Sequence, residues 1–215
     1  MAVFETSIYY PESDGKPMGE TDLHRDAMFR HIELLKRYYQ GQQAYVTGDL
    51  LLYYEKGNAK KFIVPDLLVT KGLEQFRRRI YKLWNEGVPH FVLETTSNKT
   101  KKKDLEIKPQ IYAGLGIAEY FLFDPTCDYL DPQLQGNRLV NGEYQRVATD
   151  ARGRLFSQQW ELELCVEHEE LQFYRIDNGQ RLLTAAESCE LEAEARLEAE
   201  AEVAKLRERL RELGG

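Results

Sequence analysis

The sequence predicts an α/β fold, a central β-sheet covered by helices on both faces, followed by a separate C-terminal helix. Three observations predict it. Short β-rich segments alternate with stretches of helical periodicity. Two of the segments, FIVPDLLV and HFVLE, are almost wholly apolar. After Leu183 the composition shifts to Ala, Glu, Leu and Arg. The chain has 215 residues, which suits one domain over 1–183 and an appendage over 184–215. Hydrophobic residues at 42% and charged residues at 30% exclude collagen-like, mucin-like and wholly disordered chains.

Taken in order, a helix is expected from about His24 to Tyr39, with Met28, Ile32, Leu35 and Tyr39 on one face and Gly41 ending it. Strands are expected at Ala44–Thr47, Leu50–Tyr54, Phe62–Val69, His90–Thr95 and Glu119–Asp124. Two further helices are expected between them, Leu73–Glu86 and roughly Leu105–Leu115. The stretch from Tyr129 to Arg181 reads as strands and turns, with Leu162–Val166 and Leu171–Arg175 flanking a charged turn at His168–Glu170. Thr184 and Glu187 form a capping box for the last helix. In it Val203, Leu206, Leu210 and Leu213 follow at spacings of three, four and three, as in a coiled-coil seam. Fewer than three heptads are clean, so a homodimer through this seam and a single helix lying on its own domain both remain open.

Charge and composition narrow the partners. A net charge of -7 and a pI near 5.3 argue against coating nucleic acid by charge alone, while leaving room for a local basic groove. No run of ~18 apolar residues occurs, so no membrane partner is expected. The first twenty residues lack a basic patch before an apolar block, and a cytoplasmic location is expected. Cys127, Cys165 and Cys189 are an odd count without C-x-x-C spacing, which supports neither a disulfide framework nor a zinc site.

Two acids stand in unusual places. Asp66 follows Pro65 inside FIVPDLLV, and Glu94 closes HFVLE. A carboxylate on or at the end of a buried strand is costly unless a proton, a cation or hydrogen bonds compensate it. Lys99, Lys101, Lys102 and Lys103 follow, then Asp104 and Lys108 one helical turn apart. Acids at two strand ends beside a lysine-rich loop could hold Mg²⁺ against a phosphate. Plainer readings stand beside this one: Asp66 as a turn acid after proline, Glu94 as half of a salt bridge, the lysines as a solvated loop. Arg77, Arg78 and Arg79 with Tyr81 and Trp84 mix charge and aromatic area on an expected helix, which suits either a nucleic-acid face or core packing. His24, His31, His90 and His168 have no metal-ligand spacing, and the first two share one helical face. In GLGIAEY the glycines lie after a helix and before a strand, the reverse of a phosphate cradle, and are expected to end the helix.

Eight segments carry a resemblance: PMGETDLHR (17–25), YVTGDLLLYYEKGN (45–58), VPDLLV (64–69), YKLWNEG (81–87), FVLETTS (91–97), KKDLEIKPQIYAGLGIAEYFLFDP (102–125), LDPQLQGNRL (130–139) and GQRLLT (179–184). In order and spacing they resemble the Uma-type restriction-endonuclease family, a branch of the PD-(D/E)XK nuclease superfamily, over most of residues 17–185. The resemblance implies a restriction-endonuclease-like core with a central mixed sheet flanked by helices. It implies a metal-dependent endonuclease acting on nucleic acid, with DNA as the expected substrate. Asp66 and Glu94 match the acids that ligate Mg²⁺ or Mn²⁺, and the main-chain carbonyl of Thr95 would reach the metal. Thr96 stands where the motif lysine belongs, and Lys108, in the following helix, matches the family's displaced lysine. Pro109 requires Lys108 to sit at a helix start or kink. Glu20 resembles an additional acid near the first helix, while Asp104 and Ser97 match positions expected to cap a helix and order the loop. Lys99, Lys101, Lys102 and Lys103 are the expected nucleic-acid contacts. Thr96 also supports the alternative of a nuclease-derived binding module without catalysis, associating through the last helix.

Overall fold

The computed structural model describes residues 8–15 and 21–213. By internal contact the chain divides into two units, Met1–Leu182 and Leu183–Gly215. The first unit runs α1 (Asp22–Tyr38), β1 (Ala44–Thr47), β2 (Leu52–Tyr53), β3 (Phe62–Ile63), β4 (Leu67–Lys71), β5 (Tyr81–Lys82), α2 (Leu83–Glu86) and β6 (Phe91–Thr95). A π-helical turn at Lys103–Ile107 then leads into α3 (Lys108–Leu115), followed by β7 (Glu119–Phe123), β8 (Leu134–Val140), β9 (Glu143–Arg146), β10 (Leu155–Ser157), β11 (Leu162–Glu167) and β12 (Glu170–Arg175). The second unit is α4 (Ala185–Leu213).

The central sheet is mixed, in the order β1-β4-β6-β7-β8-β9. β6 and β7 are parallel, joined by the crossover that contains α3, and the other neighbours are antiparallel. Strands β4, β6 and β7 are mostly apolar because both faces are buried, with Glu94 and Glu119 the buried acids among them. Leu67, Val69, Phe91, Leu93, Phe121 and Phe123 face α1 and the sheet β10-β11-β12, where Leu34, Leu35, Trp160 and Phe173 complete one core. Leu68, Val92, Tyr120 and Leu122, the intervening residues, face α3 and the sheet β3-β2-β5, meeting Tyr112, Leu52, Ile63 and Tyr81. Each fully buried large apolar side chain is worth about 1.5–3 kcal/mol, so the strands that carry the candidate site are firmly held. Both faces are covered as expected, but each by one helix and one small sheet.

Three expectations are corrected. Phe62–Val69 is two strands in different sheets, because Pro65 lacks an N–H and its carbonyl accepts from Asp49 N–H at 2.9 Å. Leu73–Glu86 is not a helix, since only Leu83–Glu86 is helical and Tyr81–Lys82 pair in parallel with β2. Tertiary partners override helix propensity there. Gln75 accepts the Val46 N–H at 2.7 Å, and Arg78 pairs with Glu86 at 2.9 Å while lying 4.0 Å over the Tyr45 ring. No helix therefore carries Arg77, Arg78, Arg79, Tyr81 and Trp84 together: Tyr81 is fully buried and the Arg78 side chain 3% exposed, in keeping with the core-packing alternative, while Arg77 and Arg79 are exposed. The third helix, expected from about Leu105 to Leu115, begins in the π-turn Lys103–Ile107 and is α-helical only from Lys108.

Other local expectations hold. Gly116 caps α3 in the left-handed region at φ 82°. His168 and Glu169 take positive φ in the two-residue turn between β11 and β12. Thr184 and Glu187 form the capping box, Glu187 N–H donating to the hydroxyl at 3.2 Å and Thr184 N–H to the carboxylate at 2.7 Å. No described helix is long and apolar enough to cross a membrane.

Candidate active site

Asp66 enters from the loop that precedes β4. The loop lies against the end of β1 so closely that a Cβ on Gly48 would stand 1.9 Å from the Asp66 carbonyl oxygen. Glu94 sits on the inner strand β6 and, by strand alternation, shares a face with Val92, toward α3. Two main-chain hydrogen bonds tie the acids together: Asp66 N–H donates to Glu94 Oε2 at 3.2 Å, and Thr95 N–H donates to Asp66 Oδ2 at 2.8 Å. The structure thus brings Asp66, Glu94 and Thr95 to one place.

Lys108 joins them. Its Nζ lies 2.7 Å from Glu94 Oε2 and 2.9 Å from Asp104 Oδ1. The constraint set by Pro109 is met by the π-turn immediately before α3, the kind of widened turn that recurs at functional sites. Asp104 lies inside this turn and is fully buried, so it pairs with Lys108 instead of capping the helix as expected. Thr96 is buried at the end of β6 with no hydrogen-bond partner for its hydroxyl among the described residues. Ser97 orders the loop: its N–H and hydroxyl both meet Thr100 Oγ1, at 3.0 and 3.1 Å, and its carbonyl accepts from Lys101 N–H at 2.9 Å. Lys99, Lys101, Lys102 and Lys103 are exposed on the same connection, with Lys101 Nζ 5.5 Å above the Tyr129 ring. Glu20 lies outside the described residues.

The site is short of positive charge. Burial pushes Glu94 up to about 8, with Asp66 and Asp104 adding to the rise against the pull of Lys108. Burial likewise pushes Asp66 up to about 6, opposed by Lys108 and the Thr95 N–H. For Lys108 burial works downward, and the Glu94, Asp66 and Asp104 carboxylates overcome it, holding the ammonium above the ordinary lysine value. Three carboxylates facing one ammonium in a buried place suit a hard divalent cation with oxygen ligands. Among the described residues no group of three or more His, Cys, Asp or Glu is arranged to hold a metal by itself. A cation here would therefore take Asp66 and Glu94 together with main-chain and water oxygens, as Mg²⁺ commonly does.

Three residues escaped sequence reasoning. Tyr112 donates its hydroxyl to Glu94 Oε1 at 2.6 Å from a fully buried position. Its signal was available, since Asp104, Lys108 and Tyr112 recur every four residues and fall on one helical face. His24 Nε2 lies 3.7 Å from Asp66 Oδ2, although the sequence assigned it only a helical face. Gly48 carries no signal short of the packing itself.

Three comparisons with known proteins bear on the chain. No curated protein matches it. A crystal structure described as a putative nuclease from Anabaena variabilis aligns with a TM-score of 0.48 at 16% identity, covering 67% of this chain and 76% of that one. The family described as "Putative restriction endonuclease", Uma2, matches residues 8–184, a span that includes Asp66, Glu94 and Lys108. On that match the chain belongs to the Uma2 family.

Proposed function

We propose that this protein is a Mg²⁺- or Mn²⁺-dependent endonuclease that hydrolyses phosphodiester bonds in DNA. The observation that carries the reading is the meeting of Asp66 and Lys108, far apart in sequence, at one Glu94 carboxylate, each within hydrogen-bonding reach of it. Asp66, Glu94 and the Thr95 carbonyl would hold the cation. When bound, it supplies Lewis-acid charge to a phosphate oxygen and makes a water acidic enough to attack. Lys108 keeps its proton, so it acts as a fixed positive charge and hydrogen-bond donor toward the phosphate or the attacking water, not as a base. Its presence beside Glu94 supplies the charge that Thr96 cannot, which favours retained catalysis over a binding module. Lys99, Lys101, Lys102 and Lys103 would contact the sugar-phosphate backbone without reading sequence. A homodimer would supply one site for each strand of a duplex.

Plasmid nicking with Mg²⁺ or Mn²⁺ tests the proposal. Asp66→Ala and Glu94→Ala should each reduce nicking by about a hundredfold or more while the fold persists, because each removes charge placed for the transition state. Undiminished cleavage by folded Asp66→Ala would overturn the assignment.

A further inference from the structure

Lys108 is delivered to the site by a turn that an ordinary α-helix would not make. Asp104 N–H still donates to Thr100 O, the α-helical spacing, at 2.9 Å. Lys108 N–H instead reaches back five residues, to Lys103 O. If that pattern continued, the next donor, residue 109, would bond Asp104 O. Residue 109 is proline and has no N–H. The Asp104 carbonyl is nevertheless satisfied: Tyr120 of β7, fully buried, donates its hydroxyl to it at 2.7 Å. A phenol from the neighbouring strand thus replaces the amide that the proline withholds.

We propose that Pro109 and Tyr120 act together as positioning residues, locking the π-turn at Lys103–Ile107 and thereby holding the Lys108 ammonium between Glu94 and Asp104. Each has one part. Pro109 forbids the α-helical alternative, because its ring clashes with the carbonyl four residues back. Tyr120 supplies the donor without which the wide turn would bury an orphaned carbonyl. Return to an α-turn would rotate Lys108 relative to the preceding turn by about 100° and withdraw its amine from Glu94. The lock stands on these hydrogen bonds, and its catalytic meaning rests on the reading of Lys108 given above.

Acetylation of the full chain by an N-hydroxysuccinimide ester, read by peptide mass spectrometry, reports on Lys108 without requiring activity. In the parent protein Lys108 is held between two buried carboxylates and should react about tenfold or more slowly compared with exposed Lys102 and Lys103. Pro109→Ala should remain folded, since alanine is the better helix former, while Lys108 labelling rises about tenfold. In the same variant kcat for nicking should fall about tenfold or more without loss of Mn²⁺ affinity by calorimetry, because Lys108 is not a ligand and its ammonium competes with a cation for Glu94. Tyr120→Phe should raise the unfolding equilibrium constant about tenfold in the parent and by much less in Pro109→Ala, where a backbone amide again serves Asp104 O. Unchanged Lys108 labelling in Pro109→Ala, failure of that variant to fold, or an equal cost of Tyr120→Phe in both backgrounds would overturn the lock. If the parent protein does not nick DNA but labelling and the mutant cycle come out as expected, the lock stands and the nuclease reading alone falls.

Discussion

At the scale of single residues, the smallest side chain near the site has one of the tightest tasks. Gly48 lets the loop carrying Asp66 cross the end of β1, and a methyl group there would meet the Asp66 carbonyl at 1.9 Å and Ile32 Cδ1 at 2.7 Å. The Ile32 tip can turn aside, but the backbone oxygen cannot. Gly48→Ala should therefore cost about 1–3 kcal/mol of stability, measured by urea unfolding. It should also lower nicking by more than that loss explains, since a displacement of about 1 Å can cost a hundredfold in rate. Retention of full activity in Gly48→Ala would show that Asp66 tolerates the shift. The two acids drew notice in the sequence because a carboxylate within or closing an apolar run is costly, but their role as a metal pair, like that of Lys108, was reached through resemblance. Gly48 and His24 were not legible, because what matters about each is a partner brought close only by folding.

At the scale of elements, α1 buries one stripe and carries a titratable group within it. His31 is buried between Phe123 and Phe173, with ring centroids 5.6 and 5.7 Å away. Burial, reinforced by Arg30 and His24, lowers its pKa from 6.5 to about 3. The unfolded chain therefore takes up a proton near pH 6.5 that the folded chain refuses. The resulting stability is complete above that pH and is lost as the pH falls toward about 3. The loss attributable to His31 should be about 2 kcal/mol between pH 6.5 and 5, seen as the difference between the parent protein and His31→Leu in urea titrations. Parallel pH profiles for the two proteins would refute it. Helical periodicity was enough to locate α1, and short β-rich runs marked most sheet strands, because strands buried on both faces read as continuous apolar segments. It failed over Leu73–Glu86, where Arg78 and Tyr81 satisfy partners distant in sequence, and it could not distinguish a π-turn from an α-turn around Pro109.

At the scale of the whole molecule, α4 exposes Val203, Leu206, Leu210 and Leu213 at coiled-coil spacing. With Val203 and Leu210 at a and Leu206 and Leu213 at d, Glu202 and Arg207 occupy g and e, an attractive pair across a parallel dimer. So short a seam gives weak association, roughly micromolar or weaker. Sedimentation equilibrium should show a dimer that Leu206→Lys with Leu210→Lys abolishes, and a monomer at all concentrations in the parent protein would refute the seam. The sheet that carries the site has a different consequence. With both of its faces covered, and the side chains of Glu94, Lys108 and Asp66 only 0%, 10% and 17% exposed, the candidate site lies behind a keyhole and not on a platform. Were DNA the substrate, as proposed, a straight, stiff duplex laid across such an aperture would keep its phosphates outside, and the strand to be cut would have to kink or fray until one linkage protruded far enough to enter.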